Sequence, residues 1–199
     1  MQRSPKARMV VVVGVSAGGL QALPRILGPL PKSFGASITV VQHMSKENDH
    51  GFFVSYVNAR TSLQVEEARE RCWLQPGHVY IAPANYHLLI EPEGLFSLSV
   101  DAKVNYSRPS IDVLFVSAAD AYGPNLIGVV LTGASSDGTS GAGYIRSQGG
   151  RVLVQDPGTA EAACMPRSVI DAGTADVILP LEGIGEHLMH LTANTGEAL

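Results

Sequence analysis

The sequence predicts an α/β fold: a doubly wound, mostly parallel sheet flanked by helices, with an antiparallel hairpin in the middle third. Three observations predict it. Short continuous apolar runs recur at Val10–Val13, Ser37–Val41 and Leu126–Leu131, and continuous rather than alternating hydrophobicity fits strands buried on both faces. Segments with helical apolar spacing fall between such runs, so strands and helices alternate along the chain as a parallel sheet requires. The middle third instead carries the turn Pro92-Glu93-Gly94 between two short strand-like arms, a hairpin signal.

The first strand ends in Gly14-Val15-Ser16-Ala17-Gly18-Gly19. Gly14, Ser16 and Gly18 fit G-x-S-x-G, in which a serine on a sharp strand-to-helix turn presents its hydroxyl above a sheet edge. Two other readings fit the same residues: a glycine-rich cradle for a phosphate at a helix N-terminus, and a plain tight connection. The helix that follows has Leu20, Leu23, Ile26, Leu27 and Leu30 on one face. It admits Pro24 in its early turns and ends at Pro29 and Pro31.

Ser37–Val41 is the second strand, with Gln42-His43-Met44 at its carboxyl end; His43 is a base candidate or an imidazole bonded to backbone. Residues 51–59 read as a short helix, preceded by Asp49 and His50 as exposed loop or cap residues. Val65–Ala68 and His78–Ala82 read as strands, with a turn at Gln75-Pro76-Gly77. His87–Glu91 and Leu95–Val100 are the hairpin arms. Trp73 is assigned to core or edge packing, and His78 and His87 to structural roles.

Ser110–Tyr122 is a helix with Ser110 as its N-cap. The strand Leu126–Leu131 then runs into Thr132-Gly133-Ala134-Ser135-Ser136-Asp137-Gly138. Asp137 reads either as the N-cap of a helix from about Thr139 to Gln148 or as a functional carboxylate. Residues 150–155 and 177–179 supply two more strands. Residues 166–171 form a short helix capped by Gly173, and residues 184–191 form a last one. His187 and His190 share a helix face without a carboxylate or cysteine cluster, so no metal site is expected there, nor any cofactor.

Composition bounds the function. The 199 residues suit one domain, with a tail at 1–9, a folded domain at 10–191 and a tail at 192–199. A net charge of -4 with no Lys/Arg cluster argues against nucleic acid. Two distant cysteines, Cys72 and Cys164, imply no disulfide framework and fit a reducing cytoplasm. No segment has the length and hydropathy of a secretion signal or membrane span.

In a doubly wound sheet, sites form beyond the carboxyl ends of the strands. Ser16, His43 and Asp137 each lie just past such an end. Together they offer a nucleophile, a base and an orienting carboxylate, the set acyl transfer needs. The order Ser, His, Asp and the position of Ser16 after the first strand set the chain apart from α/β-hydrolases.

Six ordered blocks carry a family resemblance: GVSAGG at 14–19, QHM at 42–44, PGHVYIAP at 76–83, RPSIDVLF at 108–115, LTGASSDG at 131–138 and CMPRSVIDAG at 164–173. From about Val10 to Leu191 the chain resembles the catalytic domain of CheB-type chemotaxis protein-glutamate methylesterases. The resemblance implies hydrolysis of glutamate γ-methyl esters on methyl-accepting chemotaxis receptors, giving glutamate and methanol, and in some members deamidation of receptor glutamines. It places the triad on Ser16, His43 and Asp137 and the oxyanion donors on the backbone N–H groups of Ala17 and Ala134.

The chain departs from the family pattern LTGMGxDG at Ala134 and Ser135. A serine where a glycine serves a positive φ would disturb the oxyanion loop, and the small Ala134 would widen the pocket. Family members commonly carry a phosphorylatable receiver domain before the catalytic one. The short stretch before the first strand implies either activity that is constitutive or partner-controlled, or a catalytic piece of something longer. The rival functions are a nucleotide-binding module built on Gly14–Gly19 and a catalytically weakened receptor-docking protein. The first lacks G-x-G-x-x-G, a Walker lysine and a ribose-binding acid after the second strand.

Overall fold

The computed structural model describes residues 7–44 and 50–193. Among the described residues, nine strands and six α-helices follow one another as β1 (Val10–Val15), α1 (Gly19–Leu27), β2 (Ser37–Gln42), α2 (His50–Asn58), β3 (Gln64–Glu67), β4 (His78–Ile81), β5 (His87–Ile90), β6 (Phe96–Ser99), α3 (Ile111–Tyr122), β7 (Leu126–Val130), α4 (Thr139–Ser147), β8 (Arg151–Gln155), α5 (Cys164–Asp171), β9 (Val177–Leu179) and α6 (Leu181–Ala193). Seven strands form one sheet in the order β3-β4-β2-β1-β7-β8-β9, every pair parallel. The β5–β6 hairpin stands apart as an antiparallel pair, as its turn residues predict.

Burial on both faces explains the unbroken valines of β1. Val11, Val13 and Val15 point into a core shared with Leu23, Ile26 and Leu27 of α1 and Ile184 and Leu188 of α6. Val10 and Val12 point into the opposite core, with Leu114, Phe115 and Ala118 of α3, Ile145 of α4 and Leu88, Ile90 and Phe96 of the hairpin. Each fully buried Leu, Ile or Phe adds about 1.5–3 kcal/mol relative to an exposed one, so the two layers hold the sheet rigid beneath its upper edge. α1 stops at Leu27, one residue before Gly28 and two before Pro29, which has no N–H to continue it.

The predicted elements are found with ends shifted by a few residues, and α6 begins three residues earlier than the apolar spacing indicates. β3 and β4 join the main sheet as parallel neighbours, so the turn at Gln75-Pro76-Gly77 belongs to a crossover and not to a hairpin. His50 opens α2 and is not an exposed loop residue: Nδ1 lies 2.7 Å from Glu67 Oε2 and Nε2 lies 3.0 Å from the Ala82 carbonyl. Asp49 lies outside the described residues. Trp73 bridges to Leu95 at the hairpin edge, and Gly173 ends α5 with φ 68°.

The chain adds β2 on one side of β1 and returns to add β7 on the other. The strand order therefore reverses at β1. A crevice opens above the carboxyl ends of β2, β1 and β7 at such a switch point, where α/β sheets hold their ligands.

Candidate active site

Ser16 follows β1, His43 follows β2 and Asp137 follows β7, so three adjacent strands deliver the three residues to one crevice. The turn at Ser16 is held from both sides. Ser16 N–H donates to the Thr132 carbonyl at 3.0 Å, and the Thr132 hydroxyl donates to the Ala17 carbonyl at 2.8 Å, which ties the ends of β1 and β7 together. Gln42 ties β1 to β2: its Nε2 donates to the carbonyls of Ser16 at 2.9 Å and of His43 at 2.7 Å. Gly18 takes the left-handed conformation, φ 84°, that sends the chain from strand into helix. Gly133 fits against the serine; a Cβ there would stand 2.9 Å from Ser16 Cβ and collide with the Met165 sulfur.

His43 Nε2 lies 2.9 Å from Asp137 Oδ2. An ionised carboxylate only accepts, so Nε2 carries the proton and Nδ1 is the nitrogen left to accept one. Nδ1 has no hydrogen-bond partner among the described residues, and neither has the Ser16 hydroxyl. Both residues line the same cavity of about 460 Å³, with Ala17, Met44, Phe52 and Phe53. A second cavity of about 480 Å³ shares Gln42, His43 and Met44 with it and extends toward Lys103 and Tyr106.

Asp137 is fully buried. Its Oδ2 accepts the Ile111 N–H at 2.7 Å as well as His43. Its Oδ1 accepts Ser110 Oγ at 3.0 Å and, at 3.1 Å each, Asn105 Nδ2 and the N–H groups of Asp112 and Gly138. Burial pushes this carboxyl up, and the hydrogen bonds from His43, Ile111, Asn105 and Asp112 more than offset it, holding it below the usual aspartate range. The neighbouring Asp112 goes the other way: burial raises it, and the charge of Asp137 adds to the rise.

These contacts correct two expectations. Asp137 does not cap its own helix; the N-cap of α4 is the left-handed Gly138, with no side-chain cap, and Asp137 instead caps α3 from another part of the chain. Ser110 does occupy the N-cap of α3, but its hydroxyl donates to Asp137 rather than accepting from the helix. The strong acceptor displaced the weaker one. His78 lies away from the crevice, paired with Glu66. His87 is buried structurally beneath it, with Nε2–H directed to the Ala102 carbonyl and Nδ1 accepting the Ser110 N–H.

The backbone N–H groups of Ala17 and Ala134 have no hydrogen-bond partner among the described residues, whereas the Gly133 N–H is used by the Ala162 carbonyl. The departures at Ala134 and Ser135 do not disturb this loop. Neither residue has a positive φ, so serine carries no backbone penalty. Ala134 is exposed and lines neither cavity, so its small side chain does not widen the pocket. As a phosphate cradle the turn is poorly equipped: no Lys or Arg is among the described residues lining its cavity. Gln42, Asn105, Ser110, Asp112, Thr132, Gly133 and Met165 support the site without a role assigned from sequence. All but Asn105 lie inside the quoted blocks, which is the local signal that could have found them.

A family described as CheB methylesterase matches residues 11–188. A Leptospira interrogans relative, assigned by name to protein-glutamate methylesterase/protein-glutamine glutaminase, is 48% identical over 187 residues, covering 94% of this chain and 96% of its own. The protein-glutamate methylesterase FrzG of Myxococcus xanthus is 38% identical; 94% of this chain matches 56% of that one. The crystal structure of the Thermotoga maritima CheB methylesterase catalytic domain superposes with a TM-score of 0.87 at 39% identity, covering 92% of this chain and 98% of that one. With the family match, the relatives and the solved structure each covering nearly its whole length, the chain belongs to the CheB methylesterase family.

Proposed function

We propose that this chain is a serine esterase that hydrolyses glutamate γ-methyl esters on the cytoplasmic part of methyl-accepting chemotaxis receptors, and that it deamidates receptor glutamines by the same route. The observation that carries the reading is the His43–Asp137 contact at 2.9 Å, beside a cavity lined by both His43 and Ser16. Asp137 holds the Nε2–H tautomer, so Nδ1 takes the Ser16 proton as Oγ attacks the ester carbonyl. The oxyanion is held by the N–H groups of Ala17 and Ala134, the first of them at the positive entry to α1. Collapse returns the proton from His43 to the leaving methoxide, giving methanol and a Ser16 acyl ester. Water, deprotonated by the same imidazole, then releases glutamate and free Ser16.

Action in the cytoplasm belongs to the same proposal. Among the described residues no helix is long and apolar enough to cross a membrane. The test is methanol release from methylated receptor by the wild-type chain and by Ser16→Ala. Loss of a triad member costs about 10⁴-fold or more, so release should fall to background. Unchanged release from Ser16→Ala sinks the reading.

A further inference from the structure

We propose that Asn105 is a positioning residue for the reaction: its carboxamide holds apart the two buried carboxylates Asp137 and Asp112 and keeps Asp137 aligned on His43. The inference rests on the esterase reading of Ser16, His43 and Asp137. Asn105 Nδ2 donates to Asp112 Oδ2 at 2.8 Å and to Asp137 Oδ1 at 3.1 Å. No other side chain among the described residues bridges the two. The remaining oxygen of Asp112 accepts the Gly141 N–H at 2.7 Å, and its own N–H donates to Asp137. Without the amide, the Oδ2 of Asp112 loses its side-chain donor and the carboxylate faces a second one in a buried site, an arrangement that raises proton affinity.

The loop is built to deliver this one group. Asn105 and Tyr106 have φ of 49° and 61°, in the left-handed region that asparagine visits more readily than most residues. Paired hydrogen bonds between Val104 and Ser107 close the turn around them. Arg108 pins the loop by donating to the carbonyls of Val100 at 2.6 Å and Asp101 at 2.9 Å and to Asn85 Oδ1 at 2.9 Å. His87 holds it from beneath through the Ala102 carbonyl. The titratable groups around the amide are therefore Asp112 on α3, Asp137 after β7, His43 after β2 and, through Ser110 N–H, His87 on β5.

The experiment follows fluorophosphonate labelling of Ser16 against pH, together with kcat and KM for the methyl ester, in wild type, Asn105→Gly, Asn105→Asp and Asn105→Gly/Asp112→Asn. Glycine relieves the left-handed backbone and removes only the amide, which separates the two roles of Asn105. Asn105→Gly is expected to label and turn over about 10-fold more slowly or worse with KM within about twofold, as misorientation near the reacting groups does. Its acid limb should move to higher pH by about half a unit or more, because a donor is lost and a like charge is unmasked. Asn105→Asp, an isostere that replaces the donor with a third carboxylate, should move it further. Asp112→Asn in the glycine background should bring the limb back toward wild type. A glycine variant with wild-type rate and limb overturns the inference while leaving the esterase reading intact, as does a limb that Asp112→Asn fails to restore. A wild-type chain that does not label at Ser16 removes the esterase reading and this inference with it.

Discussion

Asp137 accepts the backbone N–H of Ile111 at 2.7 Å with the same oxygen that receives His43 Nε2. The carboxylate that orients the proposed base is thus also the cap of helix α3, and the site shares its electrostatics with the fold. Substitution here should cost stability and activity together. Asp137→Asn puts two amide hydrogens where carboxylate oxygens accept donors, leaving buried donors unpaired at about 1–3 kcal/mol. Thermal unfolding should therefore fall by several degrees. Labelling of Ser16 should fall by about 10⁴-fold, since the amide selects the wrong imidazole tautomer.

Acid should act through the same residue. The Asp137 carboxyl is lower in the folded chain than when unfolded, so its stabilisation is fully present above the unfolded value of about 3.9 and is lost as pH falls through the depressed folded value. Asp112, raised by burial, opposes folding at neutral pH and regains stability as pH falls toward about 4. Urea titrations from pH 7 to pH 2 should show stability steepening downward below about pH 4 in wild type. The fall should be shallower in Asp137→Asn; equal slopes would contradict the assigned direction.

Gly133 sets the position of the nucleophile. A methyl group at 133 would meet Ser16 Cβ at 2.9 Å and Met165 Cγ at 2.9 Å, and its sulfur more closely still. Gly133→Ala should displace the serine, and a shift of about 1 Å costs on the order of 10²-fold in rate. Met165→Ala removes the tighter contacts, so the double variant should recover part of the loss in the labelling assay.

Gln42 clamps two strand ends. Its Nε2 satisfies the carbonyls of Ser16 and His43, and replacing it with leucine leaves both without that donor. We expect Gln42→Leu to lose about 1–3 kcal/mol by chemical denaturation. It should also slow labelling, because the nucleophile and base are no longer fixed to each other.

The proposed oxyanion donor at 134 is a backbone group, so its test removes the N–H itself. Ala134→Pro should lower kcat by about 10²–10³-fold with the triad intact. Wild-type turnover from that variant would dismiss Ala134 as a donor.

The sequence by itself determined the sheet, the hairpin and the three strand-end residues, because those features are local. A run such as Val10–Val13 needs burial on both faces wherever it occurs, and Ser16, His43 and Asp137 are each adjacent to such a run. Only the tertiary structure decided what Asp137 touches. The N-cap reading of Asp137 and the capping bond expected of Ser110 rested on the nearest helix in sequence, whereas the buried carboxylate accepts from residues 25 to 32 positions away. Asn105 lies in none of the quoted blocks, and the partners of Asn105, Asp112 and Gln42 are not legible in the sequence, since a hydrogen bond between distant segments depends on how the sheet brings them together. The harmlessness of Ser135 was likewise decided by its backbone angle, which folding sets and composition does not.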